Sequence, residues 1–144
     1  GIEVFSSSVQ TVPSGVSEKN AQLILNIQSE DVIPAGAIVE LKLPATKDIA
    51  FSASALTTPP KCEMKGAGAA EAIQCKIVKD VITWTLKSPV EAQNPFSVSA
   101  EKVLDNPMTT EPTTSLEMRT YTDASKSKLM DYQLLDLGIT ASAQ

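Results

Sequence analysis

The sequence predicts an all-β domain, built as an antiparallel β-sandwich of seven to nine strands. Two observations support this prediction: apolar residues alternate with polar ones in several short segments, and proline-containing turns separate those segments. Alternation with a period of two is typical of a strand that buries one face. Because proline cannot donate a hydrogen bond to a sheet, it marks turns, edges and strand starts.

The clearest alternation lies in residues 21–28, where Ala21, Leu23, Leu25 and Ile27 share one face. The same pattern occurs in residues 38–43, 81–86, 96–100 and 116–121. Each of these segments is therefore predicted to be a half-buried strand. No segment has the pattern of a long amphipathic helix, which favours a sandwich over a mixed fold.

The segment near the C-terminal end allows two interpretations. Residues 132–138 have a leucine spacing compatible with a helix, and Gly138 stands where such a helix would end. As a strand, the same segment carries a fairly apolar face, which consists of Leu129, Asp131, Gln133, Leu135, Leu137 and Ile139. We favour a closing strand, with the helix as the alternative.

Length and composition indicate one domain with a real core. The chain has 144 residues, of which 42% are hydrophobic, and we expect residues 1–144 to form one domain, alone or as one module of a longer protein. Its formal net charge of −5 disfavours nucleic acid as a partner, because nucleic acid requires a basic face. No run of 18 or more apolar residues occurs, so we expect no membrane insertion by this segment.

The two cysteines, Cys62 and Cys75, flank a Gly/Ala-rich turn between two short predicted strands. Cysteines on facing arms of a hairpin reach the separation that a disulfide requires. Closing a loop of this size with a disulfide would stabilise the fold by roughly 3 kcal/mol. We therefore favour a disulfide, which indicates an oxidising compartment, over two reduced thiols packed in the core.

Catalytic chemistry has few candidate residues. The sequence contains no histidine, which excludes Ser-His-Asp and Cys-His catalysis and makes most zinc sites implausible. Acidic residues remain, but Glu30-Asp31 is interpreted as a solvated loop, and Asp105-Asn106 is a weak candidate for Ca²⁺ because the spacing of a calcium loop is missing. Asp123, Asp131 and Asp136 show no ligand spacing either. We expect no enzymatic activity, no cofactor and no metal.

Trp84 is the only tryptophan, and its two-residue spacing from Ile82 and Leu86 predicts a core position. The alternative is an exposed ring on which a sugar stacks, with Tyr121 or Tyr132 as a second aromatic residue. With such a ring, the domain would be a carbohydrate-binding module. A calcium-dependent ligand-binding module, which would use the acidic residues, is the other form of this alternative.

The order of these features resembles a known family. The relevant segments are the turn and strand of residues 32–44, the cysteine pair, the strand 81–86, and residues 106–123, which begin Asn106-Pro107 and lead to Thr120-Tyr121. Across residues 20–125 the chain is similar to Ig-like extracellular repeat domains in surface and matrix proteins of ciliates and other protists. Residues 126–144 lie outside the matching part.

This resemblance implies an Ig-like β-sandwich that lies outside the cell or on its surface and contains a disulfide. It also implies a noncatalytic role in surface architecture or adhesion, with neighbouring modules or further copies of the same domain as partners. No catalytic or ligand-binding residue is carried over. Assembly through edge strands and Ser/Thr-rich faces is the function that we expect.

Overall fold

The computed structural model describes residues 1–3, 9–44, 49–66, 68–136 and 138–143. Within these ranges the chain forms eleven strands and no α-helix, with a 3₁₀ turn at Ala53–Leu56. The strands are β1 (Ile2–Glu3), β2 (Val9–Val12), β3 (Ala21–Ser29), β4 (Ile38–Lys42), β5 (Ala50–Phe51), β6 (Cys62–Lys65), β7 (Glu71–Val78), β8 (Val81–Thr85), β9 (Phe96–Asp105), β10 (Leu116–Tyr121) and β11 (Leu129–Leu135).

These strands form an antiparallel sheet that curls into a half-barrel. Its order is β1-β3-β9-β6-β7-β8-β4-β10-β11, with β2 also paired to β3 and β5 to β9. The all-β antiparallel class is thus confirmed. The described strands outnumber the predicted seven to nine because β1 and β5, which have two residues each, add to nine longer strands. Such short pairings leave no trace in the alternation of a sequence.

The predicted strands occupy β3, β4, β8, β9 and β10, and the inward positions are as expected. Ala21, Leu23 and Leu25 are fully buried in β3, and Ile27 is almost so. Val39 and Leu41 of β4 are fully buried as well. Polar residues alternate with them and remain partly exposed, so the interior is apolar and continuous from one side of the half-barrel to the other.

The closing segment is a strand, which decides between the two interpretations of residues 132–138. A β-bulge interrupts the pairing of β11 with β10, because Thr120 lies opposite Asp131 whereas Tyr121 lies opposite Leu129. The prediction that Leu129 shares the buried face is wrong, since the bulge leaves it 51% exposed. Leu135 and Ile139 are buried as expected, and Leu137 lies outside the described residues.

Strand β7 joins two halves of the sheet. One half contains β1, β2, β3, β5, β6 and β9, and the other contains β4, β8, β10 and β11. Residues 71–73 pair with β6, and residues 74–78 pair with β8. The predicted hairpin between the cysteines is formed by β6 and β7, although its turn is shorter than the whole Gly/Ala-rich stretch. The disulfide between Cys62 and Cys75 is present, with 6.1 Å between the two Cα atoms.

Trp84 lies in the interior between the two halves. Its side chain is fully buried, and the indole N–H donates a hydrogen bond to the backbone oxygen of Ser99, at 3.0 Å. Trp84 belongs to β8 and Ser99 to β9, which are not neighbours in the sheet. The predicted core position is confirmed, and a role as an exposed platform for sugars is wrong for this residue.

We expect Trp84→Phe to lower the free energy of unfolding by about 2–4 kcal/mol, because it removes buried volume and leaves the Ser99 carbonyl without its donor. Urea unfolding followed by circular dichroism measures the loss. Tyr121→Phe is the control, since it removes a hydroxyl from a partly exposed ring and should change stability much less. Equal stability of the Trp84→Phe and parent proteins would contradict the role assigned to the indole.

Candidate functional site

Three of the acidic candidates, Glu30, Asp31 and Asp131, lie around the Gly1 ammonium group, at 3.3, 3.5 and 3.8 Å. Glu30 and Asp31 follow β3 and have largely exposed side chains. Asp123 lies in the turn after β10, where the Ser125 hydroxyl and amide donate to it and hold the pKa of that carboxyl below its usual range. Across the part of the chain that the structure describes, no three acidic or cysteine side chains are grouped to hold a metal ion.

Asp105 and Asn106, the weak calcium candidates, make contacts within the protein, although the Asn106 Oδ1 is buried without a hydrogen-bond partner among the described residues. One Asp105 oxygen accepts hydrogen bonds from the Ser52 hydroxyl at 2.7 Å and from the backbone N–H of Asn20 at 3.1 Å. The other lies 3.6 Å from the ammonium group of Lys19. The Asn106 amide group donates to the backbone oxygens of Pro13 and Gly15, both at 2.8 Å. These side chains connect the end of β9 to neighbouring loops.

Aromatic and charged side chains meet on the outer face of β10 and β11. The Arg119 guanidinium lies over the Tyr132 ring, 4.8 Å from its centroid, and its Nη1 is 3.6 Å from Glu117 Oε2. The Tyr132 hydroxyl donates to Glu117 Oε1 at 2.9 Å, which closes a three-residue contact. On β4, Glu40 accepts a hydrogen bond from Lys126 at 2.9 Å. The register of β10 with β11 and β4 brings these side chains together.

The hydrogen bond between Tyr132 and Glu117 shifts the titration of both groups. It lowers the pKa of Glu117 from its ordinary 4.5, because the phenol stabilises the carboxylate. It raises the pKa of Tyr132 from its ordinary 10.0, because the phenol must be protonated to donate. The contact therefore stabilises the fold at pH values between the titration of Glu117 and that of Tyr132. It is lost as pH falls through the lowered pKa of Glu117 or rises through the raised pKa of Tyr132.

Strand β11 is also the end of the sheet path. It pairs with β10 on one side, and the Gly1 ammonium group beside β1 lies 3.8 Å from its Asp131 side chain. Leu129, Tyr132 and Leu134 are 51%, 48% and 44% exposed, which is unusual for three large side chains on one short strand. The strand contains no lysine, arginine or proline, the residues that commonly protect an edge from pairing.

A groove lies where β7 and β8 part. A cavity of about 510 Å³ is lined by Ala72, Ile73, Gln74, Thr85, Leu86 and Lys87. A second cavity, of about 270 Å³, adjoins it at Gln74 and Thr85 and reaches Lys126 in the turn before β11. Neither lining includes an aromatic ring, so the groove lacks the stacking surface that a carbohydrate-binding module requires. The carbohydrate alternative stays a prediction without a site.

Of the residues singled out in the sequence, the structure brings Cys62 and Cys75 together and places Tyr132 on an exposed face. Sequence reasoning did not place Arg119 and Glu117 beside Tyr132, where the structure has them. A signal was present, since 116–121 alternates and its polar positions include both charged residues. What was missing was the register between β10 and β11, which depends on the turn and the bulge.

No protein-family model matches the chain, and no curated protein matches it. Its fold and its one disulfide are compatible with a secreted or extracellular protein. Within the described ranges, the chain has no helix of the length and apolarity needed to cross a bilayer.

We expect the Tyr132 phenol to titrate above its ordinary pKa in the folded protein. In a Tyr121→Phe variant, Tyr132 is the only tyrosine, and its ionisation can be followed by ultraviolet difference absorbance. The apparent pKa should fall back towards 10.0 when Glu117→Gln is added, because the phenol then loses its charged acceptor. The urea-unfolded protein supplies the reference, and an unchanged pKa in the Glu117→Gln protein would contradict the contact.

Proposed function

We propose that this domain is a noncatalytic extracellular module of a cell-surface or matrix protein, with a structural or adhesive role through protein–protein assembly. The observation that carries this proposal is the outer face of the seven-residue strand β11, which exposes Leu129, Tyr132 and Leu134. Exposed apolar side chains grouped on one face are suited to contact with another molecule.

The contacts behind β11 support the same role. Arg119 and Glu117 hold the Tyr132 ring against β10 through the cation–π contact and the hydrogen bond. A side chain that is already ordered loses less conformational freedom when a partner covers it. The Tyr132 ring is therefore already ordered for contact with a partner.

The disulfide supports a location outside the cell, because disulfides persist in oxidising compartments. The net charge of −5 would help an array of such modules to stay dispersed. The similarity to Ig-like repeats of protist surface proteins leads us to propose that family and an Ig-like sandwich. In support of the sandwich, the Trp84 hydrogen bond connects β8 to β9 across the interior.

Surface labelling and cross-linking on intact cells test this proposal. In cells that make the protein, antibody should label the domain without permeabilisation, and a membrane-impermeant cross-linker should join it to other molecules. Leu134→Lys should remove most of those products, because it replaces an exposed apolar side chain with a charged one. Val78→Lys is the matched control, since Val78 is a 58% exposed apolar residue on a different strand.

Two results would contradict the proposal. Labelling that appears only after permeabilisation would place the domain inside the cell. Cross-linked products that are the same for the Leu134→Lys and parent proteins would remove β11 from the assembly surface.

A further inference from the structure

The groove between β7 and β8 consists of two cavities that meet at Gln74 and Thr85. The charged residues of its lining are Lys76, Lys87 and Lys126, and it is called the lysine groove below. We propose that the lysine groove binds an extended, acidic peptide segment of another protein. It is a second contact surface, separate from the outer face of β11.

The course of β7 and β8 explains why the groove is open. Gln74 and Thr85 form the last pair of the two strands. Beyond this pair, residues 71–73 of β7 pair with β6, whereas Leu86 exchanges backbone hydrogen bonds with residues 36–37, just before β4. The two segments thus follow different halves of the sheet, and the larger cavity lies between them.

The wall formed by β7 presents backbone groups to the groove. In an antiparallel sheet, successive residues direct their N–H and C=O groups to alternate sides. Both backbone groups of Leu86 bond to the segment before β4, so those of Thr85 and of its partner Gln74 are directed at each other. Ala72 has the orientation of Gln74, but no residue of the described chain pairs with it on the groove side. An extended peptide in the groove can pair with Ala72.

The floor of the groove is apolar. Ile73 and Leu86 occupy inward positions of their segments, where Ile73 packs against the core and Leu86 is 1% exposed. A peptide strand directs alternate side chains to opposite faces. One set of its side chains would therefore lie over this floor, and the other set would point outward, where the lysine side chains can reach them. The bound segment should accordingly alternate apolar and acidic residues.

Charge favours an acidic segment. The protein has a formal net charge of −5, yet none of the described residues that line the groove is acidic and three are lysines. Lys126 donates to Glu40 at 2.9 Å, whereas the exposed Lys76 and Lys87 have no ion-pair partner in the described part of the chain. Glu71, next to the larger cavity, already accepts hydrogen bonds from a serine hydroxyl. Two ammonium groups are thus available to carboxylates of a partner.

A sulfated polysaccharide is the other anionic polymer that lysines attract. It would use neither the apolar floor nor the backbone groups of Ala72, and the net charge of −5 opposes the approach of a polyanion. An acidic peptide uses the floor, the backbone and the lysines together. The observations therefore favour the peptide.

Selection from a random heptapeptide library on the purified domain tests the class of ligand. The selected peptides should be enriched in aspartate and glutamate, with apolar residues between them. Their binding, measured by calorimetry, should weaken as salt is raised, because salt screens the lysine–carboxylate attraction. A selection without acidic enrichment, or heparin that binds more tightly than every selected peptide, would overturn the proposal.

The double substitution Lys76→Glu/Lys87→Glu tests the position of the peptide. It should weaken binding of a selected peptide about tenfold or more, because two attractions become repulsions. Lys65→Glu/Lys102→Glu is the matched control, since it changes the net charge equally at exposed lysines of β6 and β9 in the other half of the sheet. Equal weakening by the two double variants would mean that net charge alone governs binding, and the groove would not be the site.

Backbone pairing can be tested on both partners. Ala72→Pro removes the N–H that faces the groove, so it should abolish most of the binding, while circular dichroism should show a retained fold because this N–H does not pair with β6. If the variant does not fold, methylation of single peptide nitrogens supplies the same test on the parent protein. Binding should then be lost at alternate positions of the peptide. Equal effects at all positions would contradict strand pairing.

These outcomes are separable from those of the proposed function. Leu134→Lys should leave peptide binding unchanged, because Leu134 does not line the groove. If Leu134→Lys removes the cross-linked products on cells while the purified domain selects no acidic peptide, the groove proposal is wrong and assembly through β11 stands. If acidic peptides bind the groove while the cross-linked products are unaffected by Leu134→Lys, the groove stands and the role of β11 is wrong.

Discussion

The hydrogen bond from the Trp84 indole to the Ser99 carbonyl is the contact on which the arrangement of the two halves depends. A buried N–H without an acceptor costs about 1–3 kcal/mol, so the fully buried indole requires β9 to lie where it does. Trp84 is opposite Val39 in β4 and Cys75 in β7, while Ser99 is opposite Ile24 in β3 and Glu63 in β6. One contact thus connects the registers of six strands.

The disulfide strengthens the same region at the place where the sheet changes direction. Cys75 lies in β7 just after that strand leaves β6 for β8, and its bond to Cys62 returns to β6. Cys62 lies opposite Ala100, the residue that follows the Ser99 acceptor in β9. A covalent link here limits how far β6 and β7 can separate, which maintains the geometry that the indole hydrogen bond requires.

Much of this fold could be predicted from the sequence, because half-buried strands leave a period of two. The alternation in β3, β4 and β8 and the burial of Trp84 were visible in this way. The division of β7 between two partners was not, since it depends on long-range pairing. The exposure of Leu129 was missed for a related reason: a bulge changes which face a residue occupies, and alternation assumes an uninterrupted strand.

Only the general type of the candidate site could be predicted from the sequence, and not its position. An edge strand was expected to mediate assembly, but which edge depends on the order of strands in the sheet, and that order places β11 at its end. The interior contacts of Trp84 and the disulfide do not involve the outer residues of β11. Conversely, Arg119 and Glu117 hold Tyr132 in place from the strand behind it. Under the proposed role of β11, substitutions of its exposed leucines should alter assembly while the fold is retained.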